Sequence, residues 1–439
     1  LYLKANTIYT DDLNLSLFSL IPIFILIATG CGTTQSSSQP DRISTSYQPQ
    51  NSFLFSNTVT PAHPVYSVQL YPSGHQNRAP IIEHNSSDRL ELIFETLGFE
   101  SRSFRYRFTH HNPDGTESGL SPDQFLEGFS STFITGGEVS RSSHPYYRQF
   151  KVQIPNQNVQ FRVSGFYMIH LENSDTGETI FSLPFFVHEN RGVIRSSVEV
   201  TRAFRQDLRI LHRPVNRYEL PDFVDQPQFD LSFYITQNRF WSRSRKATEL
   251  DFSDPAEVRF ETDSHDRFIG DYEFRVLNLT NLSDTRSNTL NVIETDSITQ
   301  ITLFDDAEGF TATSSVPENT NGPSESLNNR YLNVEFRFDS DITPDSDSAI
   351  YLVGDFNHWA IHENNRLKFD SSTSRWRTET IMKEGTYRYK YVLVENGEID
   401  DLWFDTLFRE IRQEYHSFVY FQDVREFYTR LLQVNTFYR

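Results

Sequence analysis

Two adjacent histidines, His110 and His111, precede a turn that carries Asp114 and Glu117 in the stretch HHNPDGTE. Imidazoles and carboxylates are ligand types for divalent metals. Neighbouring residues on a strand point to opposite faces, however, so at most one histidine could join a shared site. The four residues therefore read as a polar strand end entering a turn, with Asn112-Pro113-Asp114-Gly115 as the turn. The chain contains no HExxH, no GxSxG and no compelling carboxylate pair. Its single cysteine, Cys31, excludes an internal disulfide and any Cys/His metal spacing. These residues predict no catalytic centre, no metal site and no cofactor. Trp359 and Trp376 offer different chemistry. Exposed indole faces stack on pyranose rings, whereas buried ones close a core and need a partner for the N–H. Spacing does not distinguish the two uses, so both tryptophans stand as candidate glycan contacts.

The elements that must position such residues are strands. The chain has 439 residues with 38 Phe and 21 Tyr but only 2 Met, and aromatic side chains suit pleated, half-buried surfaces. Outside the N-terminus no long stretch has the periodicity of an amphipathic helix. The length suits about two to four domains. The net charge of −19, from 40 basic and 59 acidic residues, argues against nucleic acid, which needs clustered Lys and Arg to displace counterions. An anionic lipid surface is no better matched.

Near the start, the apolar run Leu13–Thr29 leads into Ala28-Thr29-Gly30-Cys31 and a polar tract, GTTQSSSQP. The order resembles a bacterial lipoprotein signal. That resemblance implies a signal over residues 1–30 and lipid attachment at Cys31. Gly32, rather than Asp, then points to the outer membrane. Residues 31–60, rich in Ser, Gln, Pro and Thr, read as a flexible tether.

The body reads as all-β, a tandem of immunoglobulin-like, early-set β-sandwich domains. Over 61–190, strand signals recur at Val65–Tyr71, Leu90–Phe94, Phe104–His110, Phe150–Ile154, Phe161–Leu171 and Phe181–His188, the rhythm of a sandwich. Within it, Tyr106–Phe129 resembles the first domain of the type IX secretion system plug proteins of Bacteroidota, as do Ser164-Gly165-Phe166-Tyr167 and Phe181–Glu189. The turn departs from the family, with His111-Asn112-Pro113-Asp114 for its Cys-Asp-Ala-Asp and Gly115 where Trp is usual.

A second sandwich with a polar linker is expected over 191–330. There Gln237, Asn238 and Trp241 resemble one piece of the family's second domain, and Gly270, Glu273, Phe274 and Arg275 another. Glu273 and Arg275 share a strand face and read as pairing across to a neighbour in an exposed pair. Arg243, Arg245 and Lys246 read as a solvated loop face. A third sandwich is expected over 331–439. Its GDFNHW turn (Gly354–Trp359) and Tyr387/Tyr389/Tyr391 alternation resemble glycogen-binding early-set modules, and His416–Phe437 resembles the plug family's closing strands.

The plug resemblance implies a non-catalytic periplasmic protein, held by lipid at Cys31 to the inner leaflet of the outer membrane. It would dock on a large outer-membrane β-barrel translocon, with no nucleic acid or small-molecule substrate. The competing reading is a glycan-binding lipoprotein that uses Trp359 and Trp376.

Overall fold

The computed structural model describes Phe53 and residues 65–439, apart from 101, 142–144, 203–208, 283–287, 309–320, 343–347, 406–408 and 423–425. The expected lipid site at Cys31 and most of the expected tether lie outside the described residues.

The all-β expectation holds. The first sandwich pairs a four-stranded sheet (Tyr66–Pro72, Leu90–Leu97, Tyr147–Ile154, Glu138–Val139) with a five-stranded one (Ile81–Glu83, Thr179–His188, Gly165–Asn173, Phe104–His111, Ser131–Ile134). Alternation along Phe104–His111 puts Phe104, Tyr106 and Phe108 into the core beside Phe94, Phe150 and Phe181. Thr179–His188 is buried along nearly its whole length. Phe181, Leu183, Phe185 and Val187 face that core, while Phe186 faces the second sandwich. Burial on both faces is why FSLPFFV reads as an unbroken apolar run rather than an alternation.

The second sandwich sets Val193–Arg202, Ile210–Glu219, Glu257–Glu261 and Glu249–Asp251 against Arg245–Lys246, Leu231–Gln237, Glu414–Phe421 and Arg430–Tyr438. The closing hairpin thus departs from the expected third domain over 331–439. Leu231–Gln237 pairs with Glu414–Phe421 along seven consecutive residues, Leu231 opposite Phe421 and Gln237 opposite Tyr415. The stretch Gly270–Leu279 also departs from expectation. Its strand Arg275–Asn278 pairs with Gly385–Glu395 in the third sandwich.

The third sandwich is therefore inserted into the second. One of its sheets centres on Gly385–Glu395, flanked by Arg275–Asn278, Ser348–Gly354, Gly322–Pro323 and Glu398–Asp400. The other runs Thr289–Ile293, Thr299–Leu303, Tyr331–Asp339, Arg375–Lys383, Lys368–Asp370. The Tyr387/Tyr389/Tyr391 alternation holds, and all three rings enter the core with Phe336 and Phe338.

Candidate functional site

His110 and His111 lie on opposite faces, as strand geometry requires. His110 points toward Phe125 and Tyr167, with Nδ1 2.9 Å from Ser118 Oγ and Nε2 donating to Ser164 O at 3.2 Å. Burial pushes its pKa down to about 4, so the ring is neutral at pH 7. A Cβ on Gly165 would stand 2.1 Å from His110 Nε2, so the imidazole requires a glycine there. His111 turns the other way, against Phe166, with Nδ1 2.9 Å from Gly115 O. Among the described residues no group of three or more His, Cys, Asp or Glu could hold a metal ion.

Trp359 and Trp376 are 4 % and 6 % exposed and do not form a stacking platform. The N–H of Trp359 donates to Asp355 Oδ1 at 3.2 Å, and its ring packs on Phe53, Phe240 and Phe274. The N–H of Trp376 donates to Ile342 O at 3.3 Å, and its ring sits in the third core. Burial corrects the glycan-contact reading of both residues, because a covered indole face cannot meet a sugar ring.

Two members of the basic cluster turn inward, while Lys246 is exposed. Arg243 pairs with Asp401 and lies over the Phe53 ring, while Arg245 pairs with Asp266 and covers Phe268. Nor is Arg275 part of an exposed pair. It donates to Asp306 at 3.0 Å inside the third sandwich, where Asp306 also accepts from Tyr389 and Tyr391 at 2.8 Å.

The structure concentrates its chemistry at three seams between the sandwiches. Between first and third, Lys383 Nζ meets Glu95 Oε1 at 2.6 Å, with both side chains at most 1 % exposed. Glu95 also accepts from Gln149 and from Tyr331. Tyr147 OH donates to the carbonyls of Ser326 and Asn329, both at 3.0 Å. Between first and second, Phe166, Met168 and Phe186 pack on Trp241, Phe418 and Leu431. Arg430 grips Glu189 at 2.5 and 2.8 Å, and Ser164 Oγ accepts from the Leu431 amide at 3.0 Å. The S-G-F-Y piece is thus seam material. Between second and third, Phe240 and Tyr272 pack on Trp359, Val353 and Val392. Beside them Tyr272 OH donates to Asp401 at 2.6 Å.

The three sandwiches meet around a cavity of about 170 Å³ whose walls include Trp241, Trp359, Arg239, Arg388, Asp355 and His358. Arg388 is held by Asp355 and Arg239 by Glu414, so both cations already have counter-ions. The GDFNHW turn is the inner corner of this junction.

Asp271 precedes Tyr272 of the second–third seam, its side chain wholly buried, with Arg209 3.6 Å away. Burial pushes its carboxyl up to about 6 from an ordinary 3.8. A raised folded pKa means that its contribution to stability is complete below the unfolded pKa and is lost as pH rises through about 6. Asp271→Asn is therefore expected to gain up to ~3 kcal/mol over the native chain at neutral pH and nothing near pH 4. Urea unfolding midpoints across that range measure the difference.

On the outside, Phe229 and Phe427 are 76 % and 86 % exposed. Phe229 lies in the one-turn helix Pro227–Asp230 and Phe427 on a loop, at one end of the second sandwich, where the Gln422 amide donates to Asp230 O at 2.8 Å. Among the described residues no helix is long and apolar enough to cross a membrane.

A search of the curated proteins finds no match. Among solved structures, the chain overlays a hypothetical protein from Parabacteroides merdae ATCC 43184 with a TM-score of 0.78 and 22 % identity, over 88 % of this chain and 99 % of that one. At that identity the likeness shows a shared fold. A structure of manganese lipoxygenase of Gaeumannomyces graminis with partial zonadhesin of Komagataella pastoris has 10 % identity over 86 % of this chain and 94 % of that one. The C-terminal domain of the Streptococcus pyogenes antigen I/II-family protein AspA has 6 % identity over 84 % and 98 %. With TM-scores of 0.15 and 0.17, neither carries an argument. The model of the type 9 secretion system plug protein 1st domain matches residues 65–189, the span of the first sandwich and its Tyr106–Phe129 and S-G-F-Y pieces, so the first sandwich of this chain is similar to that domain.

Proposed function

We propose that the chain is a non-catalytic plug that docks on the outer-membrane translocon of type 9 secretion and blocks its periplasmic opening. The family match supports the coarser part of this reading, an envelope-associated protein that interacts with a secretion-system component, in a family of secretion components rather than enzymes. The observation that carries the finer part is the set of seams. Occluding a channel against thermal motion needs a body whose parts do not hinge. Contacts between domains of one chain are usually small and polar enough to permit relative motion. Here ion pairs such as Glu95–Lys383 and Glu189–Arg430, together with two shared aromatic clusters, tie each sandwich to the other two. Specific docking of such a body needs roughly 800 Å² per partner. In the same reading Cys31 carries the lipid that holds the chain to the inner leaflet of the outer membrane, and a tether raises its effective concentration at the barrel mouth.

The tagged full chain, purified from native membranes, should bring down a large outer-membrane β-barrel. Deletion of its gene should let large solutes cross the outer membrane. Recovery without a barrel, together with unchanged permeability, overturns the reading. Radiolabelled palmitate should enter the native chain and not Cys31→Ala. Equal labelling of the two removes the anchor.

A further inference from the structure

We infer that the outward edge of the Thr289–Ile293 strand is a docking site for an extended segment of the translocon partner, which adds to the sheet as a further strand. The inference rests on the docking reading above. Thr289–Ile293 ends the order of its sheet and pairs with Thr299–Leu303 on one side. Leu290, Val292 and Ile293 are exposed along it.

An edge strand presents a row of backbone donors and acceptors that only another extended backbone matches in spacing. Folded proteins therefore shield such edges with charge, shortness or a covering element. The other sheet ends follow that rule among the described residues. Val193–Arg202 carries Arg195, Glu199 and Arg202. Tyr66–Pro72 lies under the third sandwich, through Ser67 Oγ 2.7 Å from Tyr331 OH. Arg430–Tyr438 gives the Leu431 and Leu432 carbonyls to the amides of Glu189 and Arg191, each at 2.9 Å. Ser348–Gly354, paired with Gly385–Glu395 on one side, is covered on the other by the Tyr351–Arg366 bridge and by the Leu367 amide, which donates to Ile350 O at 2.8 Å. The remaining terminal strands have four residues or fewer. Thr289–Ile293, sequence TLNVI, is five residues long with no charge and no proline, and after a register shift between Thr289 and Asn291 its regular ladder runs along Asn291–Ile293.

The chemistry of the occupant follows from the edge and its flank. Side chains of an added strand alternate, so every second one would lie beside Leu290 or Val292 at the open side of the sandwich. Beyond the strand Asp296 is exposed, while Glu294 is already paired with Arg330 at 3.2 Å. A fitting segment is therefore uncharged over about five residues, with Lys or Arg where it passes Asp296. A second copy of this chain fits poorly, because each copy carries −19 and that charge opposes self-association.

The test uses the full-length tagged chain with Leu290→Lys and Val292→Lys combined. Both positions are exposed, so the unfolding midpoint should be unchanged, while charged side chains block strand addition. Recovery of the barrel should fall by about tenfold or more, and amides of 289–293 should exchange more slowly in the purified complex than in the free chain. A control, Phe229→Ser with Phe427→Ser, should recover the barrel normally. If the native chain and the lysine variant bring down equal amounts of barrel, and 289–293 gains no protection, the edge inference falls and the plug reading stands. If the native chain brings down no barrel, both fall. If sedimentation shows native dimers that the lysine variant abolishes, the occupant is a second copy and the inference is overturned.

Discussion

Lys383→Met is expected to destabilise the chain by about 3–5 kcal/mol, the usual result of removing one partner from a buried pair. The reason lies with Glu95, whose side chain is 1 % exposed and loses its only ion-pair partner among the described residues. The hydrogen bonds from Tyr331 and Gln149 remain, but neither neutralises a carboxylate. Burial already pushes Glu95 up and Lys383 down in the native protein, while their contact opposes both shifts. Without Lys383 the carboxyl rises further. A raised folded pKa gives stability that is lost as pH rises through it, so the defect should be smallest below the ordinary glutamate range and grow toward neutrality. Adding Glu95→Gln should recover much of the loss, because an amide needs no counter-charge. Urea titration by near-ultraviolet circular dichroism measures the effect. The first transition is the relevant one, since a chain of several sandwiches need not unfold in one step. A loss below about 1 kcal/mol, the size of an exposed pair, would mean that the seam is wet.

Trp359→Ala should cost a similar ~3–5 kcal/mol, from lost apolar burial and the cavity left behind. Its ring fills the space among Phe53, Phe240 and Phe274, so the cavity would open in the seam between second and third sandwiches. Asp355 would lose the indole N–H but keep the Arg388 guanidinium. Trp359→Phe retains an aromatic ring and loses the N–H, and should cost about 1 kcal/mol. Limited proteolysis should cut Trp359→Ala faster, between the second and third sandwiches. Glucans should not protect the native chain, because the ring a sugar would stack on is covered. Raised stability on adding glucan, absent in Trp359→Ala, would return the turn to carbohydrate binding.

Legibility from sequence differed from element to element. Strands with one face in a core declared themselves by alternation, as Phe104–His111 and Gly385–Glu395 do. Opposite faces for His110 and His111 follow from strand geometry alone, whereas the burial of His110 against Phe125 and Tyr167 does not. Arg243 was misread for the same reason. Three cations close together in sequence look solvated, and its partner Asp401 is 158 residues away. The GDFNHW turn is similar: its local pattern fits a sugar-binding module and a buried corner equally well. The difference is the presence of Phe53 and Phe240 from elsewhere in the chain.

The sequence by itself determined the all-β class, the approximate number of sandwiches, the absence of any disulfide within the chain and the family likeness of the first sandwich. These rest on composition, cysteine count and patterns spanning a few dozen residues. Only the tertiary structure decided that the last hairpin closes the second sandwich, that the third is inserted within it, and that Trp359 faces inward. Strand pairing and burial depend on which surfaces meet, and the meeting residues are far apart along the chain. Lys383 and Glu95 are separated by 288 positions. Alternation says that a strand has a buried face; it does not say what covers that face.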